Sequence, residues 1–266
     1  MTLSPEGLKN KIAAGFTASA PHYDHHAALQ QRAAHSLLNR LNEIKTQIPD
    51  GPVLEIGCGT GAVSKKLATL LADRHLTLID LAPGMIAANR ATMAPLIASN
   101  PLRVEWQICD AETIDTRHHY ALIISCLTLQ WFHDLPGSLH RLCSALLPGG
   151  ILLCSYLGEQ SFPEWRQAAN TLGLHCTANP LPNTQQIQTS LRLLGQQNSL
   201  REEMLQISYP TVHDFFRSLK NTGTNTPTNS YSLTRGQMAR LINGWQEQSR
   251  HSVTVTYQIN TLMVQT

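Results

Sequence analysis

The chain has 266 residues, 42% of them hydrophobic, which suits one α/β domain with an elaboration or at most two small domains. Twenty Lys and Arg against 18 Asp and Glu leave a formal charge of +2 with no dense basic stripe, which argues against a nucleic-acid protein. No apolar run is long enough to span a membrane, and the first 20 residues lack a signal-peptide core, so a cytoplasmic protein is expected.

Met1 to Ala20 is weakly patterned, and Ala18 to Tyr23 reads as a mobile segment leading into a helix. From His25 to Ile44, Leu29, Ala33, Leu37, Leu38 and Leu41 recur at helical spacing. This region, residues 1–48, reads either as ordinary packing or as a lid with Phe16, Tyr23 and Gln30 turned toward a ligand.

The next stretch, Val53-Leu54-Glu55-Ile56-Gly57-Cys58-Gly59-Thr60-Gly61, is a buried strand running into three alternate glycines, followed by an amphipathic helix over 61–72. Glycine lets the backbone turn sharply and approach a ligand where a Cβ would obstruct it. The spacing is neither G-x-G-x-x-G nor a phosphate-cradling loop with a Lys-Ser/Thr pair. A second strand, His75 to Ile79, ends in Asp80 about 20 residues past the loop, where a carboxylate can accept both hydroxyls of a ribose. After a third strand over 102–108, Asp110 and Glu112 are either solvated loop acids or neighbours of an adenine amine. Glu55-x-Gly57-x-Gly59-x-Gly61, followed by Asp80-Leu81-Ala82-Pro83-Gly84-Met85, resembles the cofactor motifs of class I S-adenosylmethionine (SAM) methyltransferases. The resemblance implies SAM as cofactor and S-adenosylhomocysteine as product. It further implies cofactor contacts from Phe16, Tyr23, Gln30, Glu55, Gly57, Cys58, Gly59 and Gly61, and from Asp80, Leu81, Met85, Asp110, Ala111 and Glu112.

Strands are expected at 120–126 and 150–156, with helices over 83–97, 135–146 and 162–171. Alternation of β and α at this spacing predicts a doubly wound α/β sheet, with residues 49–160 as its nucleotide-type core. Ser125-Cys126-Leu127 ends the fourth strand, and in the methyltransferase reading borders the cofactor. Trp131 is either a large packing aromatic or a substrate-facing one. Leu147-Pro148-Gly149-Gly150 reads as a helix stop and turn. Beyond Tyr156 the sequence predicts helices at 183–193, 212–220 and 234–248, the last capped by Thr234, and strands at 203–209 and 251–264. Asn221 to Ser230 reads as a mobile Gly/Thr/Asn loop. Residues 161–266 would thus form an acceptor region with a helical cap inserted before an antiparallel seventh strand, the whole remaining one structural domain.

Phe16…Tyr23-Asp24…Ala27…Gln30, Gln130-Trp131, Arg217-Ser218-Leu219-Lys220-x-x-Gly223 and Leu233-Thr234-Arg235 resemble segments of the malonyl-acyl-carrier-protein O-methyltransferases of biotin synthesis. The resemblance implies methylation of the free carboxyl of a malonyl thioester, so that the neutral ester can be elongated like an ordinary acyl chain. A carboxylate is already ionised near neutral pH, so no general base is expected. Arg217 is the expected carboxylate clamp, because a guanidinium is planar, permanently charged and bidentate. Tyr23 is expected to orient the same group, and Gln130, Trp131 and Lys220 to bind substrate. An acidic carrier protein is the expected partner, with Arg32, Arg40, Arg217, Lys220 and Arg235 as a docking face. A monomer is compatible with the sequence. The six cysteines read as reduced thiols, and the scattered histidines carry no metal-ligand pattern. Competing readings are a methyltransferase for a free small polycarboxylate, a non-catalytic SAM-binding partner protein and, disfavoured by the glycine spacing, a nicotinamide dehydrogenase.

Overall fold

The computed structural model describes residues 4–100, 102–193, 195–228, 231–249 and 252–266. Asn229 and Ser230 of the expected loop and His251 of the expected last strand lie outside the described residues.

A single seven-stranded sheet organises the chain. Its strands are β1 (Val53–Ile56), β2 (His75–Asp80), β3 (Arg103–Ile108), β4 (Tyr120–Cys126), β5 (Leu146–Leu157), β6 (Gln197–Tyr209) and β7 (Val253–Gln265). They lie in the order β3-β2-β1-β4-β5-β7-β6. The first five run parallel, and β7 enters antiparallel to both β5 and β6. Every residue of β1 is buried, as befits a central parallel strand with helices on both faces. Strand order reverses between β1 and β4, and in open α/β sheets such a switch point opens a crevice at the carboxyl ends of the strands.

Helices α1 (Pro5–Ser19), α2 (Tyr23–His26), α3 (Ala28–Ile44), α4 (Ser64–Leu70) and α5 (Pro83–Ser99) precede β3. One face of the sheet packs on α3, α4 and α5 through Leu37, Leu41, Ile44, Leu67 and Met93. The other face carries α6 (Leu135–Ala145) and α8 (Thr184–Leu193), with Leu139, Leu142, Ile187 and Leu191 buried against β4, β5 and β7. A third cluster joins α7 (Pro163–Thr171), α9 (Val212–Asn221) and α10 (Arg235–Ser249) around Phe215, which is fully buried. This is the cap expected before the last strand. Thr234 caps α10 through its Oγ1, which accepts from the Gln237 N–H, while Gln237 Oε1 accepts from the Thr234 N–H.

Three local expectations are corrected. The amino-terminal segment is a 15-residue helix: Ser4 Oγ accepts from the Gly7 N–H at 3.1 Å, and Pro5 occupies the first turn, where its missing N–H costs nothing. The 221–230 loop is fastened along its described part. Thr222 and Thr226 are buried, and Asn179 donates to the Thr226 carbonyl and accepts from the Thr228 N–H. Finally, β6 begins at Gln197 and β5 at Leu146; the Pro-Gly-Gly segment forms an irregular entry to β5, with a register shift opposite Tyr120 and Leu122.

Candidate active site

Two cavities open at the carboxyl ends of the strands. The first, about 110 Å³, is walled by Gly57 and Gly59 after β1, Asp80 and Leu81 after β2, Cys109 to Glu112 after β3, and Cys126 to Thr128 after β4. Helix α1 roofs it with Lys9, Ile12 and Phe16. Gly57 has φ +66°, and a Cβ there would stand 2.1 Å from Thr128 Oγ1, so only glycine fits. Gly59 has φ +50° and nothing within 4 Å of where its Cβ would be; this is open space beside the cavity rather than packing.

Asp80 sits at the floor. Its Oδ2 accepts from the Gly59 N–H at 3.0 Å and its Oδ1 from the Ala82 N–H at 2.9 Å. Burial holds its carboxyl above the ordinary range, against the opposing pull of these backbone donors. Each oxygen keeps a lone pair for a further donor. Asp110 and Glu112 are both ion-paired with Lys9, and Glu112 also accepts from the His133 and Asp134 N–H groups and Ser138 Oγ, where the chain enters α6. Lys9 and Ile12 line the cavity without having been legible in the sequence, while Cys109, Thr128 and Phe132 join it from the expected segments after β3 and β4. A buried carboxylate with free lone pairs, a second acid, and two glycines that leave the backbone bare suit a ribonucleoside bearing a cationic tail.

Several expected cofactor residues stand behind this wall instead of in it. Glu55 is 3% exposed and accepts from Ser64 Oγ at 2.6 Å; Ser64 in turn accepts from Asn89 Nδ2, and Asn89 Oδ1 from Trp106 Nε1. Burial, with the Asp80 charge adding to it against the Ser64 hydrogen bond, pushes the Glu55 carboxyl up to about 8, so it is largely protonated at neutral pH. The Cys58 side chain packs in the core, Gly61 fits against Thr92 and Asn89 of α5, and Ser125 Oγ donates to the Ile56 carbonyl across the sheet. These residues shape the loop. Met85 and Ala111 do line the cavity.

The second cavity, about 510 Å³, lies under the cap. Its wall is largely apolar and aromatic, with Gln30 and Gln130 among the polar groups. No acid lines it among the described residues, and its only potentially cationic side chains, His26 and Lys220, are both exposed. The cavities meet at Phe16, Tyr23, Leu127 and Trp131, which line both. Phe16 and Trp131 stack edge to face there at 5.6 Å. Leu127 has φ +51°, a conformation that costs a side-chain-bearing residue about 1–3 kcal/mol, and strain of this kind gathers at functional sites. Burial, then the nearby Cys126, Asp80 and Asp24, drive the Tyr23 hydroxyl well above its ordinary value, so it stays protonated. Burial also pushes the Cys126 thiol up, to about 12, and raises Cys109, which removes both as thiolate nucleophiles near neutral pH.

Arg217, the expected clamp, is on the outer side of α9. Its side chain is 56% exposed, pairs with Asp214 at 2.9 Å and reaches His213; neighbours Phe216 and Ser218 to Lys220 face the cavity in its place. The amphipathic phase of α9 explains this, since one helix cannot turn every member of Phe216-Arg217-Ser218-Leu219 to one side. Arg40 is likewise paired, with Glu43, so of the five cations expected at a docking face Lys220 is the one that lines the cavity.

The roof is bolted on three sides. Lys9 pairs across to Asp110 and Glu112. A Cβ on Gly84 would lie 2.8 Å from Thr17 Cα, and one on Gly223 would lie 2.9 Å from the Gly15 carbonyl oxygen. Glycine at these points lets α1 touch both α5 and the cap loop. Among the described residues no cluster of three or more His, Cys, Asp or Glu is placed to hold a metal ion, and no helix is long and apolar enough to cross a membrane.

Residues 53–150 match the methyltransferase domain family. Over 94% of both chains, the sequence is 31% identical to a malonyl-[acyl-carrier protein] O-methyltransferase of Priestia megaterium. A protein of the same name from Magnetococcus marinus is 28% identical over 96% of this chain and 92% of its own. The biotin biosynthesis bifunctional protein BioCD of Bordetella avium is 34% identical over 93% of this chain, which spans 50% of that longer protein. Among solved structures, the YcgJ protein of Bacillus subtilis is similar with a TM-score of 0.62 at 14% identity, covering 87% of this chain and 97% of that one. Magnesium protoporphyrin IX methyltransferase of Synechocystis, solved with bound S-adenosylhomocysteine, has a TM-score of 0.55 at 15% identity over 89% of this chain and 83% of its own. These structural likenesses establish the fold.

Proposed function

The chain belongs to the malonyl-[acyl-carrier protein] O-methyltransferase family, and from that membership we propose that it methylates the free carboxyl of a malonyl thioester carried by an acidic acyl carrier protein. The observation that carries this reading is the pair of cavities sharing one short wall, with acids in the first and, among the described residues, none in the second. A cationic donor suits the former, and an anionic acceptor is not repelled by the latter.

SAM supplies a methyl group on a positively charged sulfur, and attack by a carboxylate oxygen forms the O–C bond as the S–C bond breaks, leaving a neutral methyl ester and S-adenosylhomocysteine. Asp80 would accept from the ribose hydroxyls of the bound donor, and Asp110 from its adenine amine once Lys9 gives way. Gly57 and Gly59 let the backbone approach the amino-acid tail. Phe16, Leu127 and Trp131 exclude water around the reacting atoms, and the Tyr23 hydroxyl donates a hydrogen bond to the oxygen that does not attack. No residue has to remove a proton, because the nucleophile arrives ionised. Lys220 at the mouth faces the carrier. Methylation in this sense fits the biotin pathway for which the Bordetella avium relative is named.

The direct test is transfer of labelled methyl from SAM to malonyl-acyl carrier protein beside unloaded carrier. Base-labile label on the malonyl carrier alone is the expected result. Tight SAM binding with no transfer to malonyl thioesters would overturn the assignment.

A further inference from the structure

The wall of the acceptor cavity contains hydrogen-bond donors that the reaction as described does not use. Trp165 on α7 is 6% exposed and lines the cavity, and its buried indole N–H has no partner among the described residues. Tyr209 at the end of β6 and Tyr257 on β7 also line it, with their hydroxyl oxygens 2.7 Å apart. Two phenols carry two protons and only one can lie between the oxygens, so one O–H is left over. Neither hydroxyl has another partner among the described residues. The three side chains form one patch: Phe162 packs against Trp165 at 6.0 Å and Tyr257 at 5.2 Å, and Phe215 packs against Trp165 at 5.6 Å and Tyr209 at 5.5 Å.

An unmet donor in an apolar wall costs stability unless a ligand meets it. None of the three residues lines the first cavity, so the patch stands back from the junction where the methyl group is exchanged. It therefore faces the part of the acceptor behind the reacting carboxyl. In a malonyl thioester the next polar group is a neutral carbonyl oxygen, an acceptor with two lone pairs. We propose that Trp165 and the Tyr209–Tyr257 pair form a thioester-carbonyl subsite that makes the enzyme prefer a malonyl thioester to a free diacid. This rests on the malonyl-thioester reading above. A free diacid would bring a second carboxylate against neutral donors in a wall with no buried cation, and burying a charge without an ionic partner is costly. Because the donors are uncharged and remote from the nucleophile, they hold the acceptor without drawing charge from the attacking oxygen.

The test compares malonyl-pantetheine with S-(2-carboxyethyl)pantetheine, a thioether of equal length with CH2 in place of the carbonyl. Trp165→Phe and the double variant Tyr209→Phe/Tyr257→Phe each remove the donors of one side of the patch and keep the aromatic rings, and SAM titration calorimetry checks that the fold and first cavity survive. Each variant is expected to lose about tenfold in kcat/KM on the thioester and to leave the thioether unchanged, so the ratio of the two substrates falls. Two variants that keep the wild-type ratio would overturn the subsite while leaving malonyl methylation intact. Wild-type enzyme that methylates neither of these substrates nor malonyl-acyl carrier protein would remove the malonyl reading, and the subsite with it.

Discussion

The two cavities are built on opposite plans. The cofactor side is made of strand ends and tight loops, carries Asp80, Asp110 and Glu112, and offers a ligand backbone and carboxylate groups. The acceptor side is made of side chains from the lid, the cap and the last two strands, carries no acid among the described residues, and offers a ligand aromatic surface and a few neutral donors. One site is fixed by local backbone geometry and the other by tertiary packing. The difference fits the two substrates: a donor that is cationic at its sulfur, and an acceptor whose one charge must be stripped of water to react.

The largest effect expected from breaking this division is at Asp80. Asp80→Ala removes the floor acceptor and should weaken SAM binding by about a hundredfold or more, measured by calorimetry, since hydrogen bonds to a charged group contribute roughly 1.5–3 kcal/mol each. Binding of a malonyl thioester to the second cavity should be little changed.

Gly57→Ala attacks the same side through the backbone. The new methyl would collide with Thr128, and the residue would be held at φ +66°. A loss of about 2 kcal/mol or more in unfolding free energy is expected by denaturant titration, together with weaker SAM binding.

Glu55 sharpens the comparison by pH. Its folded value of about 8 lies above the ordinary 4.5, so between those values the folded chain holds a proton that the unfolded chain has lost. Stability conferred by that proton is full below about 4.5 and falls as pH rises toward 8, by up to about 1.4 kcal/mol per pH unit. Glu55→Gln should flatten the profile over this window, read from denaturant midpoints at several pH values. An unaltered slope would show that the carboxyl is ionised beneath the loop.

The smallest effect is expected at Arg217. Exposed and paired with Asp214, it lies off the cavity wall, so Arg217→Ala should change kcat/KM for malonyl-pantetheine by less than about twofold. A large rise in KM on this carrier-free substrate would return the guanidinium to the acceptor carboxyl.

The same division explains what could be read from sequence. Gly57, Gly59 and Asp80 were legible because a strand, a turn and a second strand of ordinary length set them relative to one another along the chain. The doubly wound sheet and its antiparallel last strand followed from the alternation of elements and the family resemblance. The helical form of the first segment, Pro5–Ser19, was missed although Ser4-Pro5 signals its start, because the segment has little amphipathic phase. Lys9 meets Asp110 from 101 residues away, and no local pattern encodes that meeting. Trp165, Tyr209 and Tyr257 come from three elements that meet only in the folded chain, β6 beside β7 in the sheet and α7 in the cluster packed with them. Arg217 misled because a motif gives residue identity, while the face of the helix on which a member falls depends on how α9 is rotated against Phe215.

The central claim, that methyl transfer occurs where the cavities meet, is tested most directly by a crystal structure with S-adenosylhomocysteine and malonyl-pantetheine bound together, a pair that cannot react. The sulfur and the malonyl carboxylate are expected on either side of the gap framed by Phe16, Tyr23, Leu127 and Trp131, with the thioester carbonyl directed toward Trp165 and Tyr209. A carboxylate bound at the outer face of α9 beside Arg217, or a sulfur outside that frame, would contradict it.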